Sequence, residues 1–106
     1  MNILNELGPV VNSETMFAKE EYGKPINERL SSVLRRNATK NDYANVSIQS
    51  KVSYSTIRDV VYRTNSLTKI NAKAISLLIH AAFENSIASK IQSEADMIYL
   101  NEFLKL

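Results

Sequence analysis

Gly8, Pro9, Gly23 and Pro25 are the only glycine and proline residues in a chain of 106. Sandwiches and barrels need many tight turns, and those turns depend on Gly and Pro for backbone angles that other residues resist. A chain so poor in both is expected to be all-α, a small bundle of about five to six helices. The length fits one domain with one modest core, too small to carry an elaborate active site beside it. The absence of cysteine excludes disulfides, thiolate zinc sites and cysteine nucleophiles, and fits an intracellular protein. No apolar run approaches the roughly 20 residues a membrane span requires, and the start, with Asn2, Asn5 and Glu6, lacks a basic leader. The expected location is the cytoplasm, with no membrane partner.

The net charge of +2 is unevenly spread. Residues 1–23 carry Lys19 against Glu6, Glu14, Glu20 and Glu21, a net −3, and residues 74–106 carry Lys90 and Lys105 against Glu84, Glu94, Asp96 and Glu102, a net −2. Residues 24–73 hold the other ten basic residues against Glu28, Asp42 and Asp59, a net +7. Positive charge clustered on one segment is either a solvated surface or the electrostatic footprint of a nucleic-acid binder.

Helical periodicity divides the chain into segments. A short helix is expected over about Glu14–Tyr22, capped by Asn12 or Ser13 and stopped by Gly23 and Pro25. A second should span about Ile26–Ala38, with Ile26, Leu30, Val33 and Leu34 on one face and Arg29, Arg35 and Arg36 mostly off it. Arg35 and Arg36 then suit either the negative end of that helix or a nucleic-acid contact. The polar stretch 37–42 ends in a cap at Asn41 or Asp42. Ala74, Ile75, Leu78, Ile79, Ala82, Phe83 and Ile87 predict a core helix over about Ala72–Lys90, and a separate last helix over about Glu94–Leu104 should start at a Ser93 cap. Residues 1–24 thus form an N-terminal extension, 25–92 the core and 93–106 a C-terminal helix.

Between them, VSIQSKVSYSTIRDVV, residues 46–61, admits two readings. In steps of two it suggests a β-hairpin, but Ser50 and Lys51 would form its turn, where positive φ angles call for Gly, Asn or Asp. In helical steps Val46, Val52, Ile57, Val60 and Val61 form an inner face, with caps at Asp42 and Ser53 for helices over about Tyr43–Ser50 and Tyr54–Tyr62. The β-branched residues favour a hairpin, yet helix propensity is worth only tenths of a kcal/mol per residue and packing overrides it. Two helices meeting at a sharp turn are the expected structure.

Val46, Ser47, Lys51, Val52, Ser53, Thr56, Ile57, Val60 and Val61 stand in a pattern that resembles the helix-turn-helix of lac-repressor-type proteins, with Tyr54 after the Val-Ser step as in some members. The likeness covers about 20 residues, and the chain's size is closer to Cro-like phage repressors. Ser47 stands where the family has Ala. Lys51 replaces a turn Gly that is commonly left-handed, so either Lys51 bears that strain, with its ammonium reaching a phosphate, or the turn is built differently.

The resemblance implies a repressor-like transcriptional regulator bound to double-stranded DNA, its second motif helix lying in the major groove. Tyr54, Ser55 and Arg58 would meet base edges, while Lys40, Lys51, Ser53, Arg63, Lys69 and Lys73 would hold phosphates. Each reader has a plainer alternative: Tyr54 a half-buried aromatic, Ser55 a solvated residue, Arg58 an intrahelical partner around Asp59 or a phosphate contact. Such proteins bind as homodimers, and Ile98, Tyr99, Leu100, Phe103 and Leu104 are the expected dimer surface unless they cover the protein's own core.

An enzyme is not expected. His80 is the only histidine and sits in an apolar helix, and no triad, metal cluster, phosphate-cradling glycine loop or suggestive carboxylate pair accompanies it. No cofactor and no small-molecule ligand are implied. The competing reading is a helical protein-interaction module, adaptor or antitoxin-like, with the basic middle as surface.

Overall fold

The computed structural model describes residues 16–105. Among them are four α-helices and no strand: α1 (Glu28–Asn37), α2 (Lys40–Ser50), α3 (Tyr54–Val61) and α4 (Ala72–Leu104), with a 3₁₀ turn at Lys19–Glu21 before them. The all-α expectation holds, with four α-helices among the described residues. The candidate caps Asn12 and Ser13 and the start of the expected first helix lie outside the described residues. Within them that segment is the 3₁₀ turn, after which Gly23, at φ +87°, turns the chain. Phe17 anchors it by entering the core, edge-on to Tyr22 at 6.4 Å.

Side-chain caps set the helix boundaries. Asn27 accepts from the Leu30 amide at 2.7 Å and starts α1 two residues later than periodicity suggests, leaving Ile26 buried ahead of it. At α2 the cap is Thr39, not Asn41 or Asp42. Its hydroxyl accepts from the Asp42 amide at 3.1 Å while the Asp42 carboxylate accepts from the Thr39 amide at 2.8 Å, so Asp42 serves as the return arm of a capping box.

The turn between α2 and α3 contains Lys51 at φ 61°, ψ 23°, a left-handed residue with a side chain. The alternative of a differently built turn is therefore wrong. Hydrogen bonds hold the bend: the Lys51 amide donates to the Ser47 carbonyl at 2.9 Å, and the Ser47 hydroxyl to the Val52 carbonyl at 2.7 Å. The Ser50 hydroxyl donates to the Val46 carbonyl at 2.7 Å and accepts from the Val52 amide at 3.2 Å. A serine at 47 thus closes the corner in a way alanine could not.

The expected break near Ser93 does not occur; α4 runs unbroken for 33 residues, about 50 Å at 1.5 Å per residue. No Gly or Pro interrupts it, serine inside a helix costs only tenths of a kcal/mol, and a break would strand backbone donors and acceptors at two new ends. Its first third is the spine of the domain. Ala72, Ala74, Ile75, Ser76, Leu78 and Ala82 are buried there beneath α1, α2 and α3. Beyond Ala82 no residue of α4 is buried, and the radius of gyration, 17.1 Å, exceeds the roughly 13 Å of a compact chain this long. No helix among the described residues is long and apolar enough to cross a membrane.

Candidate nucleic-acid interface

α3 is held by its inner face. Ile57, Val60 and Val61 are fully buried against α4 and its neighbours, and the Ser31 hydroxyl of α1 donates to the Val61 carbonyl at 2.6 Å, satisfying a terminal acceptor inside the core. These contacts fix the rotation of α3. Its other side carries Tyr54, Ser55 and Arg58, three residues that one helical turn brings onto a common outward surface, all exposed.

At the start of α3 the Ser53 hydroxyl accepts from the Thr56 amide at 3.1 Å, donates to the Thr56 hydroxyl at 2.8 Å and lies 3.3 Å from that of Ser55. Its first role is the cap. Tyr54, 37% exposed, leans on the buried Tyr43 ring of α2, centroids 5.3 Å apart. That contact settles the direction of the Tyr54 ring while leaving one side open. Burial pushes the Tyr43 phenol up to about 12, helped by Tyr62 and Tyr54 and opposed by Arg35, so it stays protonated. Among the described residues Arg58 meets only the neighbouring Asp59, at 3.3 Å with both side chains well exposed, a contact too weak to hold it from a ligand.

The basic residues divide into separate groups. Lys51 adjoins the start of α3 and is exposed; Lys40 opens α2 and Lys73 lies in the first turn of α4, both exposed as well. Arg63 is otherwise engaged. At φ 67° it folds back so that Nε donates to the Ile26 carbonyl at 2.7 Å, with Glu28 3.5 Å from the guanidinium. Lys69 places its ammonium 6.0 Å over the Tyr22 ring, in a corner bordered by Phe17 and Lys19.

One residue escaped notice in the sequence, and it sits with Arg35, which was expected either to suit the helix end or to contact nucleic acid. Tyr62, just past the end of α3, lies beneath the Arg35 guanidinium, 5.4 Å from its ring centroid, and both are exposed. They carry the cationic and aromatic surface of α3 across to the end of α1. The two-turn spacing of Tyr54 and Tyr62 was the available signal. The residues expected at a dimer surface, Ile98, Tyr99, Leu100, Phe103 and Leu104, are all exposed on the free end of α4 and do not return to the core.

No protein-family model matches this chain, and no curated protein or solved structure matches it.

Proposed function

We propose that the chain is a sequence-specific double-stranded DNA-binding protein, a small transcriptional regulator in which α2, the turn and α3 act as a helix-turn-helix. The observation that carries this reading is the exposed cluster at the start of α3: Tyr54, Ser55 and Arg58 face outward together, with Lys51 beside them. An α-helix fits the major groove and its first turns approach the base edges. Arg58 has the forked donors that grip guanine, Tyr54 offers a hydroxyl and a ring edge for a thymine methyl, and Ser55 donates or accepts.

Lys51, Lys40 and Lys73 supply charge for phosphates, and Arg35 extends that field past Tyr62. Arg63 and Lys69 contribute less directly, because their side chains hold Ile26 and cover Tyr22. Selection of bound sequences from a random duplex pool tests specificity. A titration at two salt concentrations tests the electrostatics: log affinity should fall with log salt by about 0.9 for each phosphate neutralised. Failure to bind any duplex at low salt refutes the proposal and favours the interaction-module reading.

A further inference from the structure

The free half of α4 carries a repeat that packing among the described residues does not bury. Phe83, Ile87, Lys90, Glu94, Met97, Asn101 and Leu104 recur at alternating steps of four and three, which keeps them on one side of the helix. Phe83, Met97 and Leu104 are 63%, 67% and 75% exposed, and Ile91 and Ile98 flank the same stripe. Toward the domain the stripe runs into a shallow groove between α1 and α4, lined by Leu30, Val33, Ile79 and Phe83. Tyr99 and Phe103 pair edge-to-face at 5.2 Å on the opposite side of the helix, so they do not belong to it.

Lys90 and Glu94 interrupt the stripe at adjacent positions. The ion pairs among the described residues are Arg58–Asp59 and Arg63–Glu28, so these two are not joined within the chain. Lysine before glutamate at this spacing is also the weaker order for an intrahelical pair. Their charges select an arrangement. Two copies side by side in parallel would set Lys90 against Lys90 and Glu94 against Glu94 in the middle of an apolar seam.

Turned antiparallel about the point midway between them, each Lys90 meets the partner's Glu94, twice by symmetry. The same register sets Ile87 against the partner's Met97, Phe83 against the partner's Asn101 and His80 against the partner's Leu104. The tip of each helix then reaches the groove of the other copy.

We infer that the occupant of this face is a second copy of the chain, paired antiparallel along residues 80–104 with reciprocal Lys90–Glu94 contacts at the centre. This pairing does not depend on DNA binding. It brings Phe83, Ile87 and Met97 into the interface and leaves Tyr99 and Phe103 outside it. A closed two-fold seam uses the same surface twice, so association stops at the dimer.

Sedimentation equilibrium of the full chain should give a dimer. Lys90→Glu sets like charges together at both central contacts and should weaken dimerisation on the order of a hundredfold. Adding Glu94→Lys to it should restore wild-type affinity to within about threefold, a rescue that also excludes misfolding as the cause. Because the chain has no cysteine, orientation is read by oxidation: Ile87→Cys with Met97→Cys should crosslink into a dimer, whereas neither single variant should. A monomeric wild type, a Lys90→Glu variant that dimerises normally, a double charge reversal without rescue, or crosslinking of Ile87→Cys alone each overturns the inference.

Discussion

Lys51 and Arg63 share one backbone strain and should respond oppositely to the same replacement. Their φ values, 61° and 67°, are left-handed, a region that costs a residue with a Cβ about 1–2 kcal/mol. Glycine removes that cost but loses more chain entropy on folding, about 0.5–1 kcal/mol. At Lys51 the side chain is exposed, so Lys51→Gly should stabilise the fold by about 0.5–1 kcal/mol, which raises Tm by roughly 2–8 °C in a domain this size. At Arg63 the same backbone relief is outweighed by loss of the guanidinium bond to the Ile26 carbonyl, a charged hydrogen bond worth about 1.5–3 kcal/mol. Arg63→Gly should therefore destabilise by about 1 kcal/mol. Urea denaturation with an unchanged slope measures both. If Lys51→Gly lowers the midpoint, or Arg63→Gly raises it, the assignment of strain and anchoring is wrong. A DNA titration of Lys51→Gly adds a second result: a salt slope shallower by about 0.9 marks a phosphate contact, and an unchanged affinity in a stabler protein rules one out.

Ile57→Ala, at a position with no solvent exposure, should cost about 2–5 kcal/mol in a denaturant titration, and a loss below that range would show that the core there is loose. Burial pushes the Asp42 carboxyl up, but hydrogen bonds from the Thr39 amide, Asn85 and the Thr39 hydroxyl outweigh it and hold its pKa below the usual carboxylate value. A carboxylate with a lowered folded pKa stabilises above its unfolded value, about 3.9, and that stabilisation fades as pH falls through the folded one. Asp42→Ala should accordingly be about 1 kcal/mol less stable than wild type near neutrality, with the gap closing in acid; a gap independent of pH contradicts the capping role. Arg58→Ala should weaken binding to a selected duplex by about 1–3 kcal/mol and relax preference at one base pair, while a uniform loss across sequences would reassign Arg58 to phosphate.

The helical character of residues 46–61 was legible because turn chemistry and caps outweighed the β-branched composition. Ser53 sits where a cap was expected, and Ile57, Val60 and Val61 face inward as their spacing requires. The Thr39 cap was harder to see, since Thr39, Asn41 and Asp42 are all capping residues and only the reciprocal bond between Thr39 and Asp42 selects among them. Whether Lys51 is left-handed was left open by the sequence for a different reason. Lysine carries no preference for positive φ, and the conformation is imposed by the bonds that Ser47 and Ser50 make across the corner. At the candidate interface the cluster of Tyr54, Ser55 and Arg58 follows from helical spacing, whereas Tyr43 beneath Tyr54 and Arg35 over Tyr62 join residues from different helices. Arg63 looked like any basic residue at a helix border until the fold brought the Ile26 carbonyl within its reach.

By itself the sequence determined what depends on neighbours along the chain: helices rather than strands, an inner and an outer face for each, and a basic middle between acidic ends. Caps, turn residues and apolar periodicity act over three to four residues, so they survive in a linear reading. Only the tertiary structure decided which cap is used, how the corner at Lys51 is held, which arginine is tied down, and that α4 leaves the core as one rod. The cap and the corner turn on which of several local hydrogen bonds form. The Arg63 anchor, by contrast, rests on the Ile26 carbonyl, distant in the chain, as the Asn85 bond to Asp42 rests on a distant partner, and the rod leaves the core because no residue of α4 beyond Ala82 is buried.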